Sequence, residues 1–281
     1  MARGWLRYPQ PMERPTAIIG AALGGDSFED LISQAEATGA QAVQIFLGDP
    51  QSWSAPAGYP SEELRTAMER AGLTLYIHAP YVINVATSNN KVRIPSRKLL
   101  GYTMKVAAAA GAAGVVVHGG HVVEGDEPAL GYANWAKALT EVSALNLSTP
   151  LLIENTAGGE RAMARHLNSI AELWKVIAEF DAGFCLDTCH AHAGGLNMET
   201  LVADIMSITG RIDLVHANGS RDEAGSGRDR HANFGQGLLP GEVVARILHE
   251  SGAPAIIETP GSNEEQAKDI AFLKNVLAGI A

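Results

Sequence analysis

The chain is short of cysteine, of aromatic residues and of positive charge, and each shortage closes off a class of protein. Two cysteines among 281 residues, Cys185 and Cys189, make no disulfide framework, and their spacing is not C-x-x-C. A reduced, cytoplasmic protein is the expectation. Lys and Arg number 21 against 31 Asp and Glu, a formal net charge of −10, which speaks against a nucleic-acid binder built on a broad basic face. Carboxylates that hold metal ions are neutralised by them, however, so formal charge overstates the repulsion at such a site. Apolar runs are broken by glycine and mean hydropathy is +0.02, so no segment is long enough to span a bilayer and no membrane partner is expected. Residues 1–16 carry Arg3, Arg7 and Arg14 but no uninterrupted apolar stretch; they read as a flexible arm, anchored at most through Trp5 or Tyr8. Neither G-x-G-x-x-G nor a P-loop follows any apolar run, which removes the usual reason to expect a doubly wound nucleotide-binding sheet.

What is present is alternation. Short β-rich runs at Ala17–Gly20, Ala42–Phe46, Leu75–His78, Gly114–His118, Pro150–Glu154, Gly183–Asp187, Ile212–His216 and Ala255–Glu258 are separated by stretches of helical period. Those stretches are Phe28–Ala37, Glu62–Ala71, Arg97–Ala110, Ala133–Ala144, Ile170–Phe180, Leu201–Ser207, Gly241–His249 and Glu264–Leu277. Ser61 marks one helix start and Pro95-Ser96 another, while Gly39, Gly72, Gly111 and Gly252 stand where helices should stop. Eight strand-then-helix units without a linker predict an α/β fold, a single-domain (β/α)₈ TIM barrel over residues 17–281.

The last residue of each strand carries the chemistry. The third to eighth strands end at His78, His118, Glu154, Asp187, His216 and Glu258. In a β/α barrel those ends share one rim. A single histidine there usually makes an ordinary hydrogen bond, and a single Asp caps the next helix. Six together would bury unpaired imidazoles and carboxylates, a conflict that cations resolve. Mixed imidazole and carboxylate suit zinc, or manganese and iron in a more oxygen-rich setting. A second set follows: His190 on the turn after the sixth strand, with Asp229 and His231 at i and i+2 on a later loop, makes a plausible His₂Asp site. Cys189 reads as a small buried thiol, and His121 as an outer partner of a ligand.

Several long motifs occur in order: Val43-Gln44-Ile45-Phe46 through Trp53, Ile77-His78-Ala79-Pro80-Tyr81-Val82-Ile83-Asn84, and Val117-His118-Gly119-Gly120-His121. Ile153-Glu154-Asn155-Thr156-Ala157-Gly158, Cys185-Leu186-Asp187-Thr188-Cys189-His190 and Asp229-Arg230-His231 continue the series. On these motifs the chain resembles the endonuclease IV family of abasic-site DNA-repair endonucleases, its actinobacterial branch in particular, over nearly its whole length. The resemblance implies a trinuclear zinc site, with Mn²⁺ or Fe²⁺ admissible at one position. His78, His118 and Glu154 would hold the first ion; Glu154, Asp187, His216 and Glu258 the second; His190, Asp229 and His231 the third. Glu154 and Glu258 would be the metal-held catalytic carboxylates, with Glu258 orienting the attacking water. It further implies hydrolysis of the phosphodiester 5′ to an abasic site in double-stranded DNA, leaving a 3′-hydroxyl, by a protein expected to work as a monomer. Tyr81 and Val82 match the family's DNA wedge, and Gln51 a position that carries an inserted Arg in some members. Arg228 and Arg230 are expected phosphate contacts, and Lys91, Arg93, Arg97, Lys98 and Arg221 are further candidates.

Two departures stand out. The family's G-x-H-x-S after the first strand is here Gly20-Ala21-Ala22-Leu23-Gly24, and its H-x-N-D is His216-Ala217-Asn218-Gly219. The alternatives to a nuclease are a sugar isomerase or epimerase, which needs only one or two ions, and a catalytically weakened paralogue that binds damaged DNA.

Overall fold

The computed structural model describes residues 17–280; the expected N-terminal arm, with Arg3, Trp5, Arg7, Tyr8 and Arg14, lies outside the described residues. In chain order the first half runs β1 (Ile19–Ala22), α1 (Phe28–Thr38), β2 (Ala42–Ile45), α2 (Ser61–Ala71), β3 (Thr74–His78), α3 (Asn90–Ala109), β4 (Gly114–His118), α4 (Pro128–Ser143) and β5 (Leu151–Glu154). It continues with α5 (Leu167–Ile177), β6 (Gly183–Asp187), α6 (Thr188–Gly194), α7 (Leu201–Thr209), β7 (Leu214–His216), β8 (Gly219–Ser220), β9 (His231–Ala232), α8 (Gly241–Ser251), β10 (Ala255–Ile257) and α9 (Asn263–Ile280). The strands β1-β10-β7-β6-β5-β4-β3-β2 form a closed barrel, every pairing parallel. The expected TIM barrel is the observed fold.

Strand alternation divides the core in two. Outward residues such as Val43, Ile77, Val115, Ile153, Phe184 and Val215 join the large cluster under the helices. Inward residues Ala42, Tyr76, Val116, Leu152, Cys185, Leu214 and Ile256 form a separate plug inside the barrel. Two residues further along each of those strands, the next inward positions are Gln44, His78, His118, Glu154, Asp187, His216 and Glu258. A polar layer therefore sits directly on an apolar plug, at the carboxyl mouth. The registers reinforce it: His118 is the Cα partner of Glu154, and Asp187 that of His216.

Several boundaries differ from expectation. β1 runs Ile19–Ala22 rather than Ala17–Gly20, because barrel closure pairs Ile19 with Ala255 and Ala21 with Ile257. α3 starts at Asn90, not near Arg97: the Asn89 side chain caps it by accepting from Lys91 N, and Pro95 lies inside the helix. A proline there forfeits one early backbone bond without ending the helix. Pro60, not Ser61, precedes α2, and its stop at Gly72 is as expected. The short helix α6 and the two-stranded β8–β9 hairpin had no sequence signal strong enough to expect them.

Trp135 of α4 is wholly buried and donates its indole N–H to the carbonyl of Gly119 at 2.7 Å, fixing the turn that follows His118. Trp135→Phe leaves that carbonyl unmet inside the protein. Its unfolding free energy should fall by about 1–3 kcal/mol, read from urea midpoints; an unchanged midpoint would show that the bond contributes nothing.

Candidate metal centre

The nine expected ligands converge. The ligand atoms of His78, His118 and Glu154 lie within 4.8 Å of one another, as do those of Glu154, Asp187, His216 and Glu258, and those of His190, Asp229 and His231. Six come from strand ends in the polar layer. His190 sits on α6, whose N-cap is Asp187: one carboxylate oxygen, Oδ1, accepts from His190 N at 2.6 Å, while Oδ2 accepts from Asn218 at 2.7 Å. Asp187 is thus both a helix cap and a member of the cluster. Asp229 and His231 arrive on the segment closing the β8–β9 hairpin, where Ser220 pairs with His231.

Hydrogen bonds fix which nitrogen four of the five imidazoles turn inward. His78 Nδ1 donates to the Ala79 carbonyl (2.7 Å), His190 Nδ1 to that of Asn155 (2.9 Å) and His231 Nδ1 to that of Glu258 (3.2 Å). Gln44 Nε2 donates to Glu258 Oε1 at 2.7 Å, so its oxygen must face His216 Nε2 at 2.9 Å, and that nitrogen must carry the proton. In the neutral rings the remaining nitrogens hold lone pairs, and they face carboxylates that only accept. His78 Nε2 is 3.2 Å from Glu154, His216 Nδ1 is 3.1 Å from Glu154 and 3.3 Å from Glu258, and His190 Nε2 and His231 Nε2 are 3.1 and 3.2 Å from Asp229. His231 Nε2 is buried without a hydrogen-bond partner.

The same conflict displaces the proton equilibria. Burial pushes Glu154 up, but His216 and His118 outweigh it and hold its carboxyl well below the usual range. Burial pulls His231 down, and Asp229 and Asp187 carry it to about 9. Burial holds His118 at about 4, a neutral imidazole at pH 7. A proton can satisfy one nitrogen–oxygen pair, whereas a divalent ion takes three or four such atoms together. The donor set therefore fits metal ions, and protons compete with them for it.

A family model described as a xylose isomerase-like TIM barrel matches residues 32–276. The "Probable endonuclease 4" of Mycobacterium ulcerans is 51% identical over 249 residues, covering 89% of this chain and 96% of that protein. The chain belongs to the endonuclease IV family. The crystal structure of endonuclease IV from Thermus thermophilus superposes with a TM-score of 0.80 at 30% identity, covering 93% of this chain and 99% of that one. A D-tagatose 3-epimerase-like protein reaches a TM-score of 0.79 at 21% identity over 93% of this chain and 97% of that one, a likeness of fold alone.

Above the cluster opens a groove of about 620 Å³, lined by Gln51, Tyr81, Arg221 and Arg230 together with His118, Asp229, His231 and Glu258. Tyr81 is 45% exposed and stacks on His118, ring centroids 5.5 Å apart. Val82 instead packs half-buried against the core and does not line the groove. Arg230 and Arg228 both reach the Asp222 carboxylate, Arg230 through a two-pronged contact at 2.8 and 2.5 Å. Arg221 donates Nε to the His231 carbonyl. Of the more distant basic candidates, Arg97 pairs with Glu141 on α4 and Arg93 folds back on the Thr87 and Ser88 carbonyls, so both are structural. His121 meets Asn84 rather than any of the nine. Cys189 is buried with its thiol pushed up to about 12, although its sulfur lies within 4.8 Å of the ligand atoms of Asp187 and His231. No described helix is long and apolar enough to cross a membrane.

The departures from the family pattern acquire physical content. A Cβ at Gly219 would stand 2.6 Å from the Ala232 carbonyl oxygen, so the hairpin as built excludes a side chain there. Asn218 occupies the neighbouring space, donating to Asp187 and Glu258 and accepting from Glu258 N at 2.7 Å. Ala22 is the inward position of β1 and the register partner of Gln44. Gln44, Asn155 and Asn218, which orient the cluster, were not singled out from sequence. Gln44 was findable: it is a polar residue inside an apolar strand, two positions beyond a plug residue.

Gln44→Leu strips partners from both His216 Nε2 and Glu258 Oε1. Urea unfolding in the presence of a chelator should show a loss of about 1–3 kcal/mol, and a variant as stable as the parent would mean the amide orients nothing.

Proposed function

We propose that this protein is a metal-dependent DNA-repair endonuclease that hydrolyses the phosphodiester 5′ to an abasic site in duplex DNA and leaves a 3′-hydroxyl. The observation that carries this reading is the convergence of nine imidazole and carboxylate groups into three sets, two of which share Glu154, each with its ligand atoms within 4.8 Å of one another. Family membership supports it. Three Zn²⁺ would be held by His78, His118 and Glu154, by Glu154, Asp187, His216 and Glu258, and by His190, Asp229 and His231. Ions held there would make a hydroxide available at neutral pH, where free water has a pKa of about 15.7, and would neutralise charge developing on the phosphate.

The chain's own residues do the rest. Glu154 belongs to two sets and couples them. Glu258, 13% exposed where Glu154, Asp187 and His216 are 1% or less, is the carboxylate of its set that a substrate in the groove meets, and orients the water. Gln44 and Asn218 hold it in that pose. Tyr81 enters the duplex beside the extrahelical sugar, which leaves the stack cheaply because it has no base to unpair. Val82 anchors the same turn, and Gln51, Arg228 and Arg230 meet the backbone as a monomer binds in the cytoplasm.

A sugar isomerase or epimerase has only the fold in its favour, and it leaves His190, Asp229 and His231 without a purpose. Zinc-loaded protein should cut a duplex carrying one abasic analogue, and a polymerase should extend the 3′ end produced. No incision, together with sugar isomerisation, would sink the nuclease reading; tight binding without incision would favour the damage-binding paralogue.

Glu258→Gln should lower turnover by about 10²-fold or more while metal content stays at the parent's level. Unchanged turnover with metals retained would remove Glu258 from the water-orienting role.

A further inference from the structure

Arg165, on the rim loop after β5, has a side chain only 12% exposed. Its Cγ lies 3.6 Å from where a Cβ on Gly194 would stand, and its Nη2 3.6 Å from the corresponding point on Gly227. The side chain therefore runs across the junction of three rim segments: the β5–α5 loop, the end of α6 and the loop before β9. Glycines make that junction close, since a side chain at Gly158 would run into the Gly227 carbonyl.

Among the described residues this guanidinium makes no hydrogen bond. Nε is buried without a partner, and the carboxylate facing it, Glu160, stands 3.8 Å from Nη1 on a side chain 94% exposed. Other arginines at the rim are better served: Arg93 has two carbonyls and Arg161 the Asp126 carbonyl. A mostly buried cation with five donors and no acceptor is costly unless something supplies oxygens. Thr156 Oγ1 is likewise buried and unpartnered, on the same loop, and the Thr156 carbonyl lies 3.6 Å from the same point on Gly194 as Arg165 Cγ. Arg228, 68% exposed, follows Gly227 directly.

We propose that the Nη edge of Arg165, the part of its guanidinium that keeps accessible surface, forms a site for a backbone phosphate of the bound DNA, away from the bond that is cut. The inference rests on the nuclease reading. The edge of a planar guanidinium matches two phosphate oxygens. Glu160, tethered only loosely, turns into solvent when the phosphate arrives. A phosphate contact carries no information about the lesion, so its loss must weaken damaged and undamaged duplex alike.

The test uses the full zinc-loaded chain and two duplexes, one with an abasic analogue and one intact, titrated across a potassium chloride series. Arg165→Gln should weaken binding to both by the same factor, about tenfold, and lessen the slope of log Kd against log salt by about one. Incision at saturating duplex should proceed at the parent rate. Arg165→Lys should keep the parent slope, because the charge remains. If Arg165→Gln does not fold, Arg165→Lys carries the test: a point charge cannot take two phosphate oxygens in fixed geometry, so it should weaken both duplexes equally, by several-fold. Equal slopes for parent and Arg165→Gln, or parent-level affinity of Arg165→Lys for both duplexes, would overturn the phosphate site while leaving the nuclease standing. A parent chain that neither binds nor incises the abasic duplex would overturn the nuclease reading, and the site with it.

Discussion

Acceptors facing acceptors in a water-poor barrel mouth govern the rest of this structure. Each imidazole of the cluster whose ring is tied to a carbonyl or to Gln44 has one nitrogen committed outward, and the nitrogen left over points at a carboxylate. Such an arrangement is unstable unless protons or cations intervene. The barrel makes it unavoidable. Alternation along each strand puts an apolar residue in the plug and the next inward residue at the mouth, and parallel registers bring His118 beside Glu154 and Asp187 beside His216. Water cannot approach from below, because Leu152, Val116, Leu214 and Ile256 fill the interior. Cations can enter only from the groove.

The outer set depends on a different device. Asp229 and His231 are not strand ends of the barrel but sit on an extended segment held by the β8–β9 pairing and by Asp222, which grips Arg230. Alternation works here too: residues 229 and 231 meet His190, while 228 and 230 meet Asp222. One short segment thus turns Asp229 and His231 toward the cluster and Arg228 and Arg230 toward Asp222. Its position also relies on close backbone packing, since the Gly158–Gly227 and Gly219–Ala232 approaches leave no room for side chains.

The barrel and the six strand-end residues of the cluster were legible in the sequence because both follow from strand periodicity, the most local of structural signals, whereas His190, Asp229 and His231 were legible only through their short motifs. His78 through Glu258 end apolar runs, and the rim geometry of the fold does the rest. Gln44 was passed over because an amide has no charge to mark it, although the same two-residue step from the plug finds it. Boundaries set by tertiary pairing were less legible: β1 is placed by its ladder to β10, not by its own composition. The hairpin that delivers Asp229 and His231 rests on two-residue strands, too short to leave a periodic trace. Val82 matches the family's DNA wedge together with Tyr81, and of the two Tyr81 is the exposed side chain while Val82 packs partly against the core.

The acidic balance of the chain finally takes its place. A net charge of −10 would repel DNA if it were spread evenly. Four of its carboxylates, Glu154, Asp187, Asp229 and Glu258, lie in the cluster, where three divalent ions would more than cancel them. A fifth, Asp222, is already matched to Arg230 and Arg228. On the proposed reading the rim then offers Arg221, Arg228 and Arg230 to a duplex with only Asp222 set against them. Metal loading would therefore change what the groove attracts as well as what it can cleave. Affinity for undamaged DNA, which needs no chemistry, is the quantity in which that electrostatic reversal would be felt first.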